Sequence, residues 1–376
     1  ANGAYVIDLR APVEYAQDHH PKAVNVPLLD DDERSLVGTI YKQRSPDEAF
    51  EKGLEFVEKR VYDLMQGICN ATGRNMDRDV KSVFGDVARN VRSLEITSPN
   101  HKPKEGDVIL YCARGGQRSQ SVAALLQSLG WEDVWVMQGG YKSFRRHVRE
   151  SFEISPEIAE SSEPHESRLL PGNIFVLSGM TGVGKTRILH KVEELRKGST
   201  LDLEGLAGHR SSLLGHVGLA PTSQKAFETG IYHRVETGFP HGYAVVESES
   251  RKVGDSIIPE KVWRELELGE RIDLTAPLEV RVTRLCEEYL RDDVHRRELE
   301  KALPSLERVM KGKDKGLFVG MLKRGEERAL AALLIEQWYD ARYRDRRFNN
   351  IDSIDTSDED ACARAVVDAI ETRLQS

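Results

Sequence analysis

Residues 173–186 read NIFVLSGMTGVGKT: a short apolar run, then a glycine-rich turn that closes on Lys and Thr. From Gly179 to Thr186 the stretch fits G-x-x-x-x-G-K-[ST], with a strand-like run before it and an amphipathic helix after it. That helix would carry Ile188, Leu189, Val192 and Leu195 on one face. Gly179, Gly182 and Gly184 leave the backbone free to turn its N–H groups, those of Thr181 and Val183 included, onto phosphate oxygens. Lys185 adds a point charge for the terminal phosphate, and Thr186 offers a hydroxyl to Mg²⁺. Such a loop grips a diphosphate, whether of a nucleotide or of another ester. A strand, phosphate loop and helix in this order predict an α/β domain with a parallel sheet.

Downstream, a strand is expected at Tyr243–Val246, followed by Glu247 and Glu249. A carboxylate at that strand end either holds Mg²⁺, directly or through water, or is a solvated surface glutamate; the Asp usual at this position is absent. Between the two strands, a strand-like Ser199–Leu203 leads into polar residues that include Asp202, Glu204, His209 and Arg210. They are candidate substrate residues at the C-terminal edge of the sheet, with Asp202 and Glu204 equally readable as helix caps. No metal-ligand set is assigned from spacing. Residues 280–348 read as long charged helices. From Arg281 to Asn350 there are 17 Lys or Arg against 13 Asp or Glu. Within them, residues 338–348 (WYDARYRDRRF) interleave Trp338, Tyr339, Tyr343 and Phe348 with Arg342, Arg344, Arg346 and Arg347. That composition suits RNA phosphates and stacked bases, and equally suits a helix with a solvated basic face and aromatic core contacts.

Upstream, residues 151–171 are rich in Ser, Glu and Pro and read as a linker between a domain at 1–150 and one at 172–376. In the first domain, strands are expected at Tyr5–Leu9, Ala23–Val26, Asp107–Tyr111 and Val134–Met137. A helical insertion at about 33–100 separates the second from the third, with a capping box at Ser45–Glu48 and a further helix at about 77–94. Cys112 follows the third strand and opens CARGGQRS, whose Ser119 starts a helix. A thiol held between a strand end and a helix N-terminus gains inward N–H groups and the helix dipole, which favour a thiolate and an oxyanion beside it. Gly115 and Gly116 let the backbone curl around the sulfur, and Arg114 and Arg118 add charge. The bland alternative is a buried, inert thiol.

The chain has 376 residues and a net charge of −8, enough for two or three domains and opposed to a protein that coats nucleic acid through overall charge. Four scattered cysteines without metal or disulfide spacing, and no long apolar run, predict a soluble protein of a reducing cytoplasm that does not enter membranes. Cys69, Cys286 and Cys362 read as packing residues. The chain begins ANGAYVIDLR without Met, so a few native residues are expected to precede it.

IDLRAPVEYAQDHHPKAVNVP (7–27), Cys112 with its loop, and VMQGGYKSF (136–144) resemble a rhodanese domain, which implies a persulfide or perselenide on Cys112. Five residues separate Cys112 from Arg118, a loop size that also fits the Cys-x5-Arg phosphatases, although Tyr111 stands where many of those have His. A chalcogen carried on phosphate suits this loop. Together with GMTGVGKT, DLEGLAGHR, SQKAFE and VVESESRKVGDSIIP, it makes the chain similar to the tRNA 2-selenouridine synthase family. The resemblance implies conversion of wobble 2-thiouridine in the anticodon loop of tRNA to 2-selenouridine with selenophosphate, by way of S-geranylation from geranyl diphosphate. It makes a selenophosphate-producing enzyme a candidate partner. The competing readings are an ATP-dependent kinase or NTPase fused to a Cys-x5-Arg phosphatase or sulfurtransferase, and a noncatalytic binding protein.

Overall fold

The structure is a computed structural model that describes residues 3–75, 79–90, 101–154, 168–310, 315–342 and 350–375. The chain divides into two compact units, residues 1–151 and 152–376.

In the first unit, β1 (Tyr5–Asp8), β2 (Ala23–Asn25), β3 (Val108–Tyr111) and β4 (Val134–Val136) form a parallel sheet in the order β2-β1-β3-β4. Short β-branched strands buried on both faces are what a parallel sheet requires. α1 (Pro12–Gln17) follows β1, α5 (Gln117–Ser128) follows β3, and α6 (Gly140–Ser151) ends the unit. The helical insertion comprises α2 (Asp31–Gln43), α3 (Pro46–Thr72) and α4 (Val80–Asn90). α3 buries Val61, Leu64, Met65 and Ile68, spaced to lie along one face, against Ile7, Leu110 and Leu126. At its start the Ser45 hydroxyl accepts the Glu48 N–H at 3.1 Å, but the Glu48 carboxylate meets that same hydroxyl at 3.4 Å. The reciprocal capping box predicted there forms one helix earlier, where Asp30 and Glu33 exchange bonds of 2.8 and 2.9 Å. The predicted ends of the 77–94 helix, at 77–78 and 91–94, lie outside the described residues.

In the second unit, β5 (Asn173–Ser178), β6 (Thr200–Leu201), β7 (Tyr243–Glu247), β10 (Glu270–Thr275) and β11 (Asn350–Asp355) make a parallel sheet ordered β11-β10-β5-β7-β6. Its core joins Phe175, Leu177, Val245 and Leu274 to Ile188, Leu189 and Val192 of α7 (Lys185–Leu195) and to Val366 and Ile370 of α15 (Glu359–Gln375). Each such aliphatic side chain removed from water contributes about 1.5–3 kcal/mol. Leu195 departs from its predicted face and is exposed, because the helix ends there. β8 (Lys252–Val253) and β9 (Ser256–Ile257) form a small hairpin, and α8 (Leu203–Ala207), α9 (Gln224–Thr237) and α10 (Glu260–Glu267) complete the connections. A second cluster, centred on Leu303, Leu306, Phe318 and Trp338, holds α12 (Asp293–Val309), α13 (Leu317–Lys323) and α14 (Glu327–Leu334), which follow α11 (Leu278–Tyr289). The C-terminal region is therefore not helical throughout. After its helices the chain returns to the sheet as β11, beside β10. The strand predicted at Ser199–Leu203 is only two residues long, since Asp202 caps α8.

The predicted linker at 151–171 lies mostly outside the described residues. Among those described, no helix is long and apolar enough to cross a membrane.

Candidate catalytic sites

Cys112 stands between the end of β3 and the N-terminus of α5, as the sequence predicts, with its sulfur 3.3 Å from the Ser119 hydroxyl. That hydroxyl also lies 3.1 Å from the Gly116 carbonyl, and its single proton turns to the sulfur when the thiol ionises. Burial alone would push the thiol up. The Ser119 hydroxyl, the backbone N–H groups of Arg114 and Ser119 and the Arg118 charge outweigh it and hold Cys112 below the ordinary cysteine range. Burial instead pushes Cys286 up, and Cys362 to about 12, in keeping with packing roles. All four cysteines are free thiols.

The loop is held from behind by Gly139 and Gly140. Tyr141 and Lys142 donate their N–H groups to the carbonyls of Cys112 and Ala113 at 2.9 and 3.0 Å. Gly140 has φ +55°, and a Cβ there would overlap the Cys112 carbonyl. On the open side, Arg114 is exposed, while Arg118 is half-buried and 3.5 Å from Glu14. Glu14 also takes Arg34 at 2.8 Å. Its burial would raise it, yet Arg118 and Arg34 hold it below the usual carboxylate range. Glu14 carries no motif of its own, and only the three-dimensional placement of α1 reveals it. Tyr111 is fully buried and accepts the His20 N–H at 3.2 Å, so it closes the back of the cradle and is not a base for the sulfur.

The second site lies at the C-terminal end of β5. Gly179, Gly182 and Gly184 all have positive φ, and a Cβ on Gly179 would run into the Leu274 carbonyl. Lys185 bends back to the Gly179 carbonyl at 3.3 Å. Thr186 lies 2.8 Å from Glu247 and 3.1 Å from Glu204, and the Glu204 N–H donates to Glu247 at 3.0 Å. Glu204, Glu247 and Glu249 each bring an oxygen to within 4.8 Å of the others. Glu247 is buried at the end of β7, not a solvated surface residue. Burial, then the charge on Glu249, raises both Glu204 and Glu247; Glu247 adds to the first and Asp202 to the second. A carboxylate set that repels itself this way, beside a phosphate-loop Thr, is a donor set of hard oxygens that fits a divalent cation.

Asp202 accepts the Gly205 N–H at 2.7 Å and pairs with His190 at 2.8 Å, so its place is that of a helix cap. His209 packs against Gly215 and Gly254, and Arg210 donates to the Val217 carbonyl at 2.8 Å and lies over the Tyr289 ring. Arg210 thus lies beside α11, and His209 beside the turn of the β8–β9 hairpin.

Residues 172–312 match the sequence model of the tRNA 2-selenouridine synthase AAA domain, and residues 75–147 that of the rhodanese-like domain. Over 288 residues the chain is 35% identical to the tRNA 2-selenouridine synthase of Hydrogenovibrio crunogenus, a match covering 76% of this chain and 68% of that one. The chain belongs to the tRNA 2-selenouridine synthase family. The synthases of Nitrosomonas europaea and Shewanella loihica are 32% and 31% identical, over 76% and 77% of this chain and 63% and 66% of theirs. The matched region thus spans about two thirds of the length of these curated relatives.

In this family member each matched domain contains one of the two loops, Cys112 in the first and Gly179–Thr186 in the second. Two further residues support the phosphate loop without any sequence motif. Arg281 donates to the Thr181 carbonyl at 2.8 Å and pairs with Asp340 at 2.6 Å. Arg284 is buried, donates to the Val183 carbonyl and the Thr356 hydroxyl, both at 2.7 Å, and also meets the Thr356 carbonyl. Both arginines thus fix the loop by its carbonyls, and within the loop the Val183 N–H donates to the Met180 carbonyl at 3.3 Å. Of the basic stretch, Arg342 is exposed and stacks over Trp338, whose indole is buried in the helical cluster. Tyr339 packs against the same cluster, so neither aromatic residue is placed to stack on a base. Arg344, Arg346 and Arg347, with Tyr343 and Phe348, lie outside the described residues.

Proposed function

We propose that this protein converts 2-thiouridine at the wobble position of tRNA to 2-selenouridine in two steps, one at each loop. Sulfur on C2 of a pyrimidine leaves poorly as a thione and well as an alkylated thiolate. The Gly179–Thr186 loop therefore holds geranyl diphosphate while the thione sulfur attacks its allylic carbon and diphosphate departs. Loop N–H groups and Lys185 stabilise the charge that develops on the leaving oxygens. Thr186, Glu247 and Glu204 would hold Mg²⁺ there, which supplies charge for the departing diphosphate. In the second step selenium of selenophosphate bonds to C2, geranylthiolate leaves with the bonding pair and takes a proton, and water cleaves the Se–P bond to give selenouridine and phosphate. Cys112 and Arg118, with Arg114 at the rim, handle the selenophosphate. Arg342, with Arg344, Arg346 and Arg347, contacts tRNA phosphates.

The observation that supports this reading is the pairing of two unlike glycine-rich loops in one family member: a thiol cradle that lowers Cys112 and a G-x-x-x-x-G-K-T loop backed by a carboxylate cluster around the buried Glu247. The test is incubation with 2-thiouridine tRNA, geranyl diphosphate and selenophosphate, followed by digestion and mass analysis of the nucleosides. Both geranylthiouridine and selenouridine are expected. Neither nucleoside, with ATP hydrolysed instead, would replace this reading by a kinase or NTPase.

A further inference from the structure

The Cys112 cradle opens into a cavity of about 570 Å³, within the range typical of sites for drug-sized ligands. Its charged groups cluster: Arg118 at the start of α5 and Arg34 of α2 both reach Glu14, at 3.5 and 2.8 Å, beside Cys112 and Arg114, with the polar Gln117, Ser121 and Tyr41 also in the wall. The rest of the wall is mostly apolar. Phe50, Leu54 and Val57 of α3, Phe84 of α4 and Val122 and Leu125 of α5 line it. Four of these six, Phe50, Leu54 and Val57 on the long insertion helix and Phe84 on α4, are only half-buried. Gly53 also lines the space, and a Cβ built on it meets no atom within 4 Å.

Selenophosphate is a small, fully hydrated anion, and its contacts are met by the N–H groups and guanidinium of the charged cluster. A chamber of hydrocarbon side chains adds nothing to the binding of such an anion, and desolvating the anion there would oppose it. What gains free energy from these walls is a hydrocarbon, at roughly 0.8 kcal/mol for each methylene removed from water. The ligand that fits both parts is an amphiphile whose polar head reaches Cys112 and whose chain runs back between α3, α4 and α5.

We propose that the chamber formed by the helical insertion binds the terpenyl chain of the S-alkylated nucleoside and so presents its C2–S bond beside Cys112. This rests on the reading that an S-geranyl intermediate exists, and it places the recognition of that intermediate in the first unit, apart from the diphosphate loop where the chain would be attached. The insertion then selects alkylated over unalkylated substrate before selenium is delivered.

The test uses the full chain and two nucleosides, S-geranyl-2-thiouridine and S-methyl-2-thiouridine. Iodoacetamide labelling is followed at Cys112 by peptide mass analysis. The geranyl nucleoside should slow labelling of Cys112 about fivefold or more at concentrations where the methyl nucleoside does not. Equal labelling with both would overturn the proposal. Gly53→Trp, which fills the chamber, and Leu54→Lys, which charges it, should each reduce the binding preference for geranyl over methyl from about tenfold or more to near parity in calorimetry. Retention of the preference in folded variants, checked by their melting curves, would also overturn it. Protection of Cys112 in a protein that makes no selenouridine would support the chamber and reject the reaction scheme, so the two failures are distinguishable.

Discussion

At Cys112 opposing effects decide the chemistry. Burial disfavours a thiolate, and four contacts favour it: the Ser119 hydroxyl, two backbone N–H groups and the Arg118 charge. The contacts prevail, so alkylation of Cys112 should rise with pH through a midpoint below the about 8.5 of a free cysteine. Ser119→Ala should move that midpoint upward. Rates of iodoacetamide labelling between pH 5 and 10 would measure both, and a Cys112 midpoint at or above that of free cysteine would contradict the balance described. A parallel argument holds at Glu247, whose carboxylate touches Thr186 at 2.8 Å. Glu247→Gln keeps the shape and removes the charge. In the parent, Mg²⁺ should strengthen the binding of inorganic pyrophosphate, and in the variant that enhancement should be lost. Calorimetry with and without Mg²⁺ reads this directly; a parent protein indifferent to Mg²⁺ would remove the metal from the scheme.

Among the elements, α11 has the least evident role in the sequence and a clear one in the structure. It sends Arg281 and Arg284 to carbonyls of the phosphate loop. Replacing Arg284 by Met would leave the Thr356 carbonyl without its donor, and the Val183 carbonyl with the Thr356 hydroxyl alone, costing roughly 1–3 kcal/mol in urea denaturation. Pyrophosphate affinity should fall about tenfold with it. Unchanged affinity would show that the loop holds its shape unaided. The difference between what was readable and what was not is physical. Strands β1, β3 and β5 and the two loops follow from local pattern, because glycines, apolar runs and helix starts act within a few residues. The partners of Arg284 are 72 and 101 residues distant, and no local pattern encodes them. β11 was obscured for a similar reason: NIDSID carries alternating polar residues after a long charged region, and its place beside β10 depends on that strand as a template. Glu204 was readable only as a cap or a ligand. The close approach of β7 to the start of α8 makes it a neighbour of Thr186. Trp338 was misleading because an aromatic residue between arginines has the same composition whether it faces RNA or a helical core.

For the protein as a whole, the net charge of −8 and the modest excess of basic residues between 281 and 350 favour selective contact with tRNA over general attraction. In the proposed scheme two loops of one chain divide two reactions, alkylation at Gly179–Thr186 and selenium delivery at Cys112. Single-turnover assays on 2-thiouridine tRNA, with nucleosides resolved by mass, separate them. Cys112→Ala should accumulate geranylthiouridine tRNA and form no selenouridine. Lys185→Ala should lower geranylation by about two orders of magnitude or more, yet still convert tRNA that has been geranylated beforehand. If both variants lose the same single step, or if Lys185→Ala cannot convert the geranylated tRNA, the assignment of one reaction to each loop is wrong.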